Sequence, residues 1–355
     1  DCGGLLVSGG NVANAVGLLA ARVASAPWNI REEGQASPGA PRLRVYASRE
    51  THTWIENATD LSGLGTDAVR WIPTDDDLRM DVAQVRDVLK RDRDAGDVPM
   101  AVVGTAGTVS TGAVDPIAAL ADLCREENVW LHVDGAYGGF AAAVPGAPED
   151  LRALGRADSV ALDPHKWLYA PLEAGCVLVR DPELLRNAFS YHPPYYHFGV
   201  EAINYHDYGP QNSRGFRALK VWMGLRQAGR RGYERMIGDD MELSRRLFAT
   251  LEGHPSFEAI TQSLSIATFR YVPPDLAGRA GEASVASYLN RLNETLLDRI
   301  QSSGLAFVSN AVIGERYVLR ACIVNFNTTA EDVDALPGIV DRLGAEVDEA
   351  LREAT

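Results

Sequence analysis

No stretch of this 355-residue sequence approaches the roughly 18 consecutive apolar residues that a membrane helix needs. The run Ala15–Ala21 stops at Arg22. Cysteine is scarce: Cys2, Cys124, Cys176 and Cys322 are far apart and form no CxxC pair. That spacing excludes a zinc ribbon or a disulfide framework and leads us to expect a reducing, cytoplasmic setting. Basic charge is short as well. Lys and Arg total 34 against 48 Asp and Glu, a net charge of −14. Nucleic acid and anionic membrane are therefore excluded as partners, because both need a basic face. Repeats and low-complexity tracts are absent. Asp1-Cys2-Gly3-Gly4 has no basic-then-apolar leader pattern, and Leu5-Leu6-Val7 runs straight into a glycine turn. The chain is expected to begin in mid-fold, with an upstream segment missing. What is present is ordinary for a globular protein, 46% hydrophobic with 33 Gly and 18 Pro. At about 150 residues per domain the length suggests two or three domains.

Strand and helix patterns alternate through the first two thirds. Arg42–Ser48, Ala68–Pro73, Met100–Thr105, Val129–Val133, Ser159–Leu162 and Cys176–Val179 read as strands. Asp81–Arg93 reads as a helix, with Val82, Val85 and Leu89 on one face, and Asp115-Pro116 opens another with Pro116 in its first turn. Such alternation predicts an α/β fold, a mostly parallel central sheet with helices on both faces. The pattern changes near Gly232. A helix over Tyr233–Glu252, a strand over Ser265–Val272, a helix over Ser284–Ser302, strands over Leu305–Val308 and Tyr317–Phe326 and a final helix over Glu331–Glu353 predict a smaller C-terminal α+β domain. The expected division is residues 1–232, a large ligand-binding domain, and 233–355.

Chemistry-bearing residues recur where a strand ends in a Gly or polar turn. Lys166, in Asp163-Pro164-His165-Lys166-Trp167, follows an apolar strand and is flanked by ring and aliphatic side chains. Partial desolvation there would lower its pKa and suit imine chemistry. A surface lysine with a buried stem is the plainer reading of that residue alone. Asp134 ends the strand Trp130-Leu131-His132-Val133 one crossover earlier, at the strand end where open α/β sheets bind ligands. A pyridine aldehyde needs such a pair: a lysine to hold the aldehyde and a carboxylate to keep the ring nitrogen protonated. Ser8-Gly9-Gly10-Asn11 enters a helix whose first N–H groups could take a phosphate, although a tight turn capped by Asn11 explains the same residues. His52, after the Arg42–Ser48 strand, could stack on an aromatic ligand. Thr105, at another strand end, could meet the ligand through its hydroxyl. Together these are the parts of a pyridoxal phosphate site.

The motifs Ser8-Gly9-Gly10-Asn11-Val12-Ala13-Asn14, Tyr46-Ala47-Ser48 with His52, His132-Val133-Asp134-Gly135-Ala136-Tyr137 and Asp163-Pro164-His165-Lys166-Trp167 resemble those of the group II pyridoxal-phosphate amino-acid decarboxylases, which include aromatic-L-amino-acid decarboxylase. The resemblance covers nearly the whole chain and implies pyridoxal-phosphate fold type I. It implies that Lys166 carries the cofactor, Asp134 pairs with the ring nitrogen, His52 stacks on the ring and Ala136 packs against its other face. Thr105 is then near the ring hydroxyl, and Gly9, Gly10 and Asn11 form the phosphate turn. His165 falls near phosphate and substrate. Tyr195, in Tyr191-His192-Pro193-Pro194-Tyr195-Tyr196, matches the loop tyrosine that returns a proton to the substrate α-carbon, with Tyr196 one register away. Arg214 and Phe216 match the family's helix-leading motif. Asp163 stands where the aromatic-amino-acid enzymes have asparagine, and no phosphate bond is assigned to it.

The implied activity is α-decarboxylation of an L-amino acid, aromatic favoured, to the amine and CO2, by a homodimer whose active site lies at or near its interface. Ser213 hints at phenolic over indolic substrates. An aldehyde synthase, a transaminase, a carbon–carbon lyase or an inactive fragment of the family are the alternatives, and a silent scaffold that kept the fold is the rival from another class. The Tyr191–Tyr208 segment carries five of the 12 tyrosines and three of the seven histidines, as expected of an active-site lid or a subunit interface. No metal is expected.

Overall fold

The computed structural model describes residues 2–192 and 203–353. Two compact units emerge. One comprises the chain up to Thr108 with Ala113–Arg231, the other Val109–Gly112 with Gly232 onward.

The first unit is built on seven strands, β1 (Gly3–Val7), β2 (Leu43–Ser48), β3 (Val69–Ile72), β4 (Val98–Thr105), β5 (Trp130–Asp134), β6 (Ser159–Leu162) and β7 (Gly175–Val179). Their order in the sheet is β1-β7-β6-β5-β4-β2-β3. The five strands from β6 to β3 run parallel, whereas β7 is antiparallel to both β6 and β1. Parallel strands are covered on both faces, and β2, β4 and β5 show it: every residue of β2 and β5 is buried, Arg44 and His132 included, as is all of β4 after Val98. Because β7 reverses twice, the end of β1 lies at the same edge of the sheet as the end of β6. The turn Ser8–Gly9 therefore reaches the place where the parallel strands finish.

Helix α1 (Gly10–Ser25) crosses this sheet with Ala13, Val16, Leu18, Ala20 and Ala21 buried against it. It approaches closely at Gly17, where an added β-carbon would stand 2.7 Å from His132 Cε1. Below that contact runs a buried hydrogen-bond chain. Trp130 Nε1 donates to Ser159 Oγ (2.8 Å), Ser159 Oγ lies 2.7 Å from His132 Nδ1, and His132 Nε2 lies 2.7 Å from Asn14 Oδ1. Asn14 Oδ1 can only accept, so Nε2 carries the ring proton and donates to it, and in the neutral ring Nδ1 accepts the Ser159 hydroxyl proton. This tautomer is neutral, and burial pushes the His132 pKa down to about 4, with Asp134 opposing the shift.

A pH effect follows. An unfolded histidine titrates near 6.5, so the unfolded chain binds a proton that folded His132 refuses until about pH 4. Its contribution is fully present above pH 6.5 and is lost as pH falls towards 4, at up to about 1.4 kcal/mol per pH unit. Asp115, whose carboxyl burial raises to about 6, acts in the opposite direction below that pH. The comparison with His132→Gln isolates the histidine. In urea titrations at several pH values, wild type should lose stability relative to His132→Gln as pH falls from 6.5 towards 4. A pH-independent difference would contradict the buried neutral ring.

The second unit holds four antiparallel strands, β8 (Phe257–Ser263), β9 (Ile266–Tyr271), β10 (Ser309–Ile313) and β11 (Arg316–Cys322), in the order β10-β11-β9-β8. Helices Ala283–Ser303 and Ala330–Glu353 share a core with them around Phe269, Leu289, Leu296 and Val340. Several expected boundaries move. Leu305–Val308 is not a strand: Leu305 and Phe307 are exposed, and pairing begins at Ser309. β8 was not anticipated. The span Arg217–Glu252 is two helices that meet at a non-helical Gly229 (φ 64°), so the second begins close to the expected Tyr233 and the first is additional. Pro116 stands at the N-cap of helix Ile117–Glu127, one position outside it.

Candidate active site

The parallel strands finish in register. Thr105 pairs with Asp134, and Asp134 pairs with Ala161, so the ends of β4, β5 and β6 lie side by side. Asp134 is buried, and its Oδ1 accepts the N–H of Ala136 (3.0 Å). Gly135 N donates to Ala161 O (2.9 Å), tying the β5 turn to β6. Thr105 N donates to Asp115 Oδ2 (2.7 Å), and the other oxygen of that fully buried carboxylate takes Met80 N (2.7 Å). Asp115 thus fixes the end of β4 from behind, a role hidden in a sequence that reads only as the start of a helix.

After β6 the chain makes one short helical turn, Pro164–Trp167. Trp167 turns into the core and stacks on Tyr137, ring centroids 4.9 Å apart. Lys166 turns the other way. Its side chain is 43% exposed, so the flanking aromatic residues do not bury it as the sequence led us to expect. It is ion-paired instead, with Nζ 3.1 Å from Asp163 Oδ2. His165 Nδ1 lies 2.7 Å from Ala174 O, and its Nε2 is 3.7 Å from the same Asp163 oxygen.

The glycine turn meets this cluster. Gly9 holds φ 134°, a conformation L side chains rarely adopt, and caps α1 while its carbonyl accepts Ala13 N–H (3.0 Å). A β-carbon added at Gly10 would lie 2.6 Å from Asp163 Oδ2 and 3.2 Å from Ala136 Cβ, and one at Gly9 would lie 3.5 Å from His165 Cε1. Gly9, Gly10, Ala136, His165 and Lys166 therefore converge on one place, with Asp134 and Thr105 on the adjoining strand ends. Asn11 lies on the exposed side of the first turn of α1. His52 is also exposed, beyond β2, where its Nδ1 accepts Trp54 N–H (3.1 Å). No hydrogen bond or ion pair joins His52 to Lys166 or Asp134 among the described residues. Trp54 meets His132 edge-on at 5.6 Å, which connects the His52 turn to the helix-α1 face of β5. Tyr195 and Tyr196 lie outside the described residues. At the borders of that segment, Ser190 Oγ donates to Asp207 Oδ1 (3.1 Å), while His192 and His206 face the same carboxylate oxygen at 3.7 and 3.5 Å.

The arrangement fits a phosphorylated pyridine aldehyde. The first turn of α1 has no side-chain cap and no acidic residue, leaving its N–H groups for an anion. Gly10 has no side chain to collide with Asp163 Oδ2, which lets the start of α1 approach the β6 turn this closely. Within the cluster, Thr105 Oγ1 and Asp163 Oδ1 are buried with no hydrogen-bond partner among the described residues, and both lie at strand ends. Orphaned groups of this kind cost about 1–3 kcal/mol each, a cost that a polar ligand removes. An exposed amine stands next to them, and a buried carboxylate lies one strand away.

Comparison with known proteins agrees with this class of site. Among solved structures, Oryza sativa TDC with PLP and tryptamine superposes with a TM-score of 0.87 at 31% identity, covering 97% of this chain and 70% of that one. This likeness identifies a pyridoxal-phosphate enzyme of fold type I. The family model of the pyridoxal-dependent decarboxylase conserved domain matches residues 1–272, and the chain belongs to that family of carboxy-lyases. An aromatic-L-amino-acid decarboxylase of Bacillus atrophaeus is 36% identical over 349 residues, 97% of this chain and 69% of the relative. A phenylacetaldehyde synthase of a Rosa hybrid cultivar is 30% identical over 321 residues, 88% of this chain and 62% of the relative. The chain thus spans about two thirds of the length of these relatives.

Proposed function

We propose that this protein removes the α-carboxyl group of an L-amino acid as CO2 and releases the amine, with aromatic side chains preferred. The observation that carries this reading is the convergence of the α1 start and Lys166 on the strand ends that bear Asp134 and Thr105. When bound, pyridoxal phosphate supplies an aldehyde that joins to amines and a ring that accepts the electron pair released with CO2. Gly9, Gly10 and Asn11 hold the phosphate through backbone N–H groups at the helix start. Lys166 anchors the cofactor through Nζ. The buried Asp134 carboxylate would keep a proton on the ring nitrogen, and the Thr105 hydroxyl would meet the ring hydroxyl. His52 would stack on the ring and Ala136 would pack against its other face. His165 would serve phosphate and substrate. Tyr195 returns a proton to the substrate α-carbon.

Support for an aromatic substrate comes from the relatives' names, and the aldehyde-forming relative supports a second reading, oxidative release of an aldehyde. A tyrosine at position 195 favours simple decarboxylation. Carboxyl-labelled Tyr, DOPA, Trp, Phe, Glu and Asp, each followed for labelled CO2 and for amine against aldehyde, test the assignment. Labelled CO2 with equimolar amine from an aromatic substrate supports it; aldehyde as the main product transfers it to the second reading. Tyr195→Phe should slow amine formation about 100- to 10,000-fold, the usual worth of a positioned proton donor. Unchanged amine yield would remove Tyr195 from the reaction.

The reading includes a homodimer. Phe216, Leu219, Trp222, Met223 and Leu225, at the start of the Arg217–Glu252 span, are all exposed, and large apolar side chains exposed within ten residues favour a subunit contact there. A cytoplasmic location is supported by four free cysteines, and among the described residues no helix is long and apolar enough to cross a membrane.

A further inference from the structure

Asp163 has no role in the reaction outlined above, yet it lies at the centre of the cluster. Its side chain is 2% exposed. Oδ2 faces Lys166 Nζ at 3.1 Å and His165 Nε2 at 3.7 Å, and it lies 2.6 Å from the position a β-carbon on Gly10 would take. Oδ1 is buried with no hydrogen-bond partner among the described residues. Asp134 on β5 adds a second negative charge, and the thiol of Cys176 on β7, raised chiefly by burial, feels Asp163 as a lesser contributor. The carboxylate therefore depends on the positive potential of the lysine and the start of α1, to which the histidine adds only when protonated.

A phosphate at the same helix start removes one of these sources and adds like charge beside a desolvated carboxylate. A buried charge that loses its partners is neutralised by taking a proton, since leaving it unpaired costs more. The orphaned Oδ1 is where that proton has room, and once protonated it can donate a hydrogen bond. We propose that Asp163 couples phosphate capture at the α1 N-terminus to the uptake of one proton, so that the pocket exchanges the carboxylate's charge for the ligand's. Burial already raises the Asp163 pKa, with Lys166 and His165 opposing. The inference rests on the cofactor-site reading and assigns Asp163 a positioning role within it.

The test uses 4′-deoxypyridoxine 5′-phosphate, which has the cofactor's ring and phosphate but no aldehyde and so cannot bond to Lys166. Its affinity is measured calorimetrically for wild type and Asp163→Asn from pH 7 to 9, where the ligand's phosphate stays mostly dianionic. Binding heats in two buffers of different ionisation enthalpy count the protons exchanged. Wild type should take up a proton, and its affinity should fall with rising pH more steeply than that of Asp163→Asn, by up to the tenfold per unit that one linked proton allows. Asp163→Asn should take up fewer protons and bind more tightly than wild type at pH 9. Parallel pH profiles, or no proton uptake by wild type, would overturn the coupling. Because the ring nitrogen held by Asp134 can itself take up a proton, the count assigned to Asp163 is the difference between wild type and Asp163→Asn, and Asp163→Ser serves where Asp163→Asn does not fold. A separate control distinguishes the two levels: pyridoxal phosphate fixed by borohydride should label Lys166. Labelling without proton coupling rejects only the role of Asp163, and absence of labelling rejects the site and the coupling together.

Discussion

Lys166→Ala is expected to abolish the visible absorbance that develops when pyridoxal phosphate is added, and with it multiple turnover. The loss should be on the order of a thousandfold or more, equivalent to about 4 kcal/mol at 1.36 kcal/mol per factor of ten. The reason is positional. Nζ is the amine beside the glycine turn, 43% exposed and aligned by Asp163, and the buried cluster around it offers no second lysine among its contacts. Secondary structure should survive, because Lys166 contributes to no core and its neighbour Trp167 alone fills the space against Tyr137. Absorbance titration, borohydride trapping and mass analysis of the labelled peptide check the result. Retained turnover at the wild-type rate would contradict the site.

Asp134→Asn should separate binding from chemistry. The amide is close in size and can still accept the Ala136 N–H, so the β5 turn should hold. The charge that keeps a proton on a pyridine nitrogen is gone. Removing one preorganised electrostatic partner typically costs about 100- to 1,000-fold in kcat, or roughly 2.7–4 kcal/mol. Cofactor capture should persist with a shifted spectrum while labelled CO2 release falls by that factor. Rates unchanged from wild type would place the ring nitrogen elsewhere.

Much of the large unit could be read from the sequence, because parallel strands covered on both faces are largely apolar runs that stop at a polar or glycine turn. Val133-Asp134-Gly135 and Leu162-Asp163-Pro164 mark strand ends for that reason. β8 escaped because all seven of its residues are only half-buried and polar side chains interrupt them. Leu305–Val308 misled in the opposite sense: it is apolar in composition, yet Leu305 and Phe307 face outward. Long-range contacts were beyond the reach of pattern. Nothing local in the sequence shows that Asn14 and Ser159 meet across His132, or that Gly10 comes up against Asp163. These are meetings between elements far apart along the chain, and they depend on strand order and crossover.

The close approach of α1 at Gly17 has an evolutionary consequence. A side chain at position 17 has nowhere to go while an imidazole occupies position 132, and the Trp130–Ser159–His132–Asn14 chain fixes that ring in place. Positions 17 and 132 are therefore not free to drift independently. Any lineage that enlarges the first must shrink the second and, with it, find new partners for the serine and the asparagine.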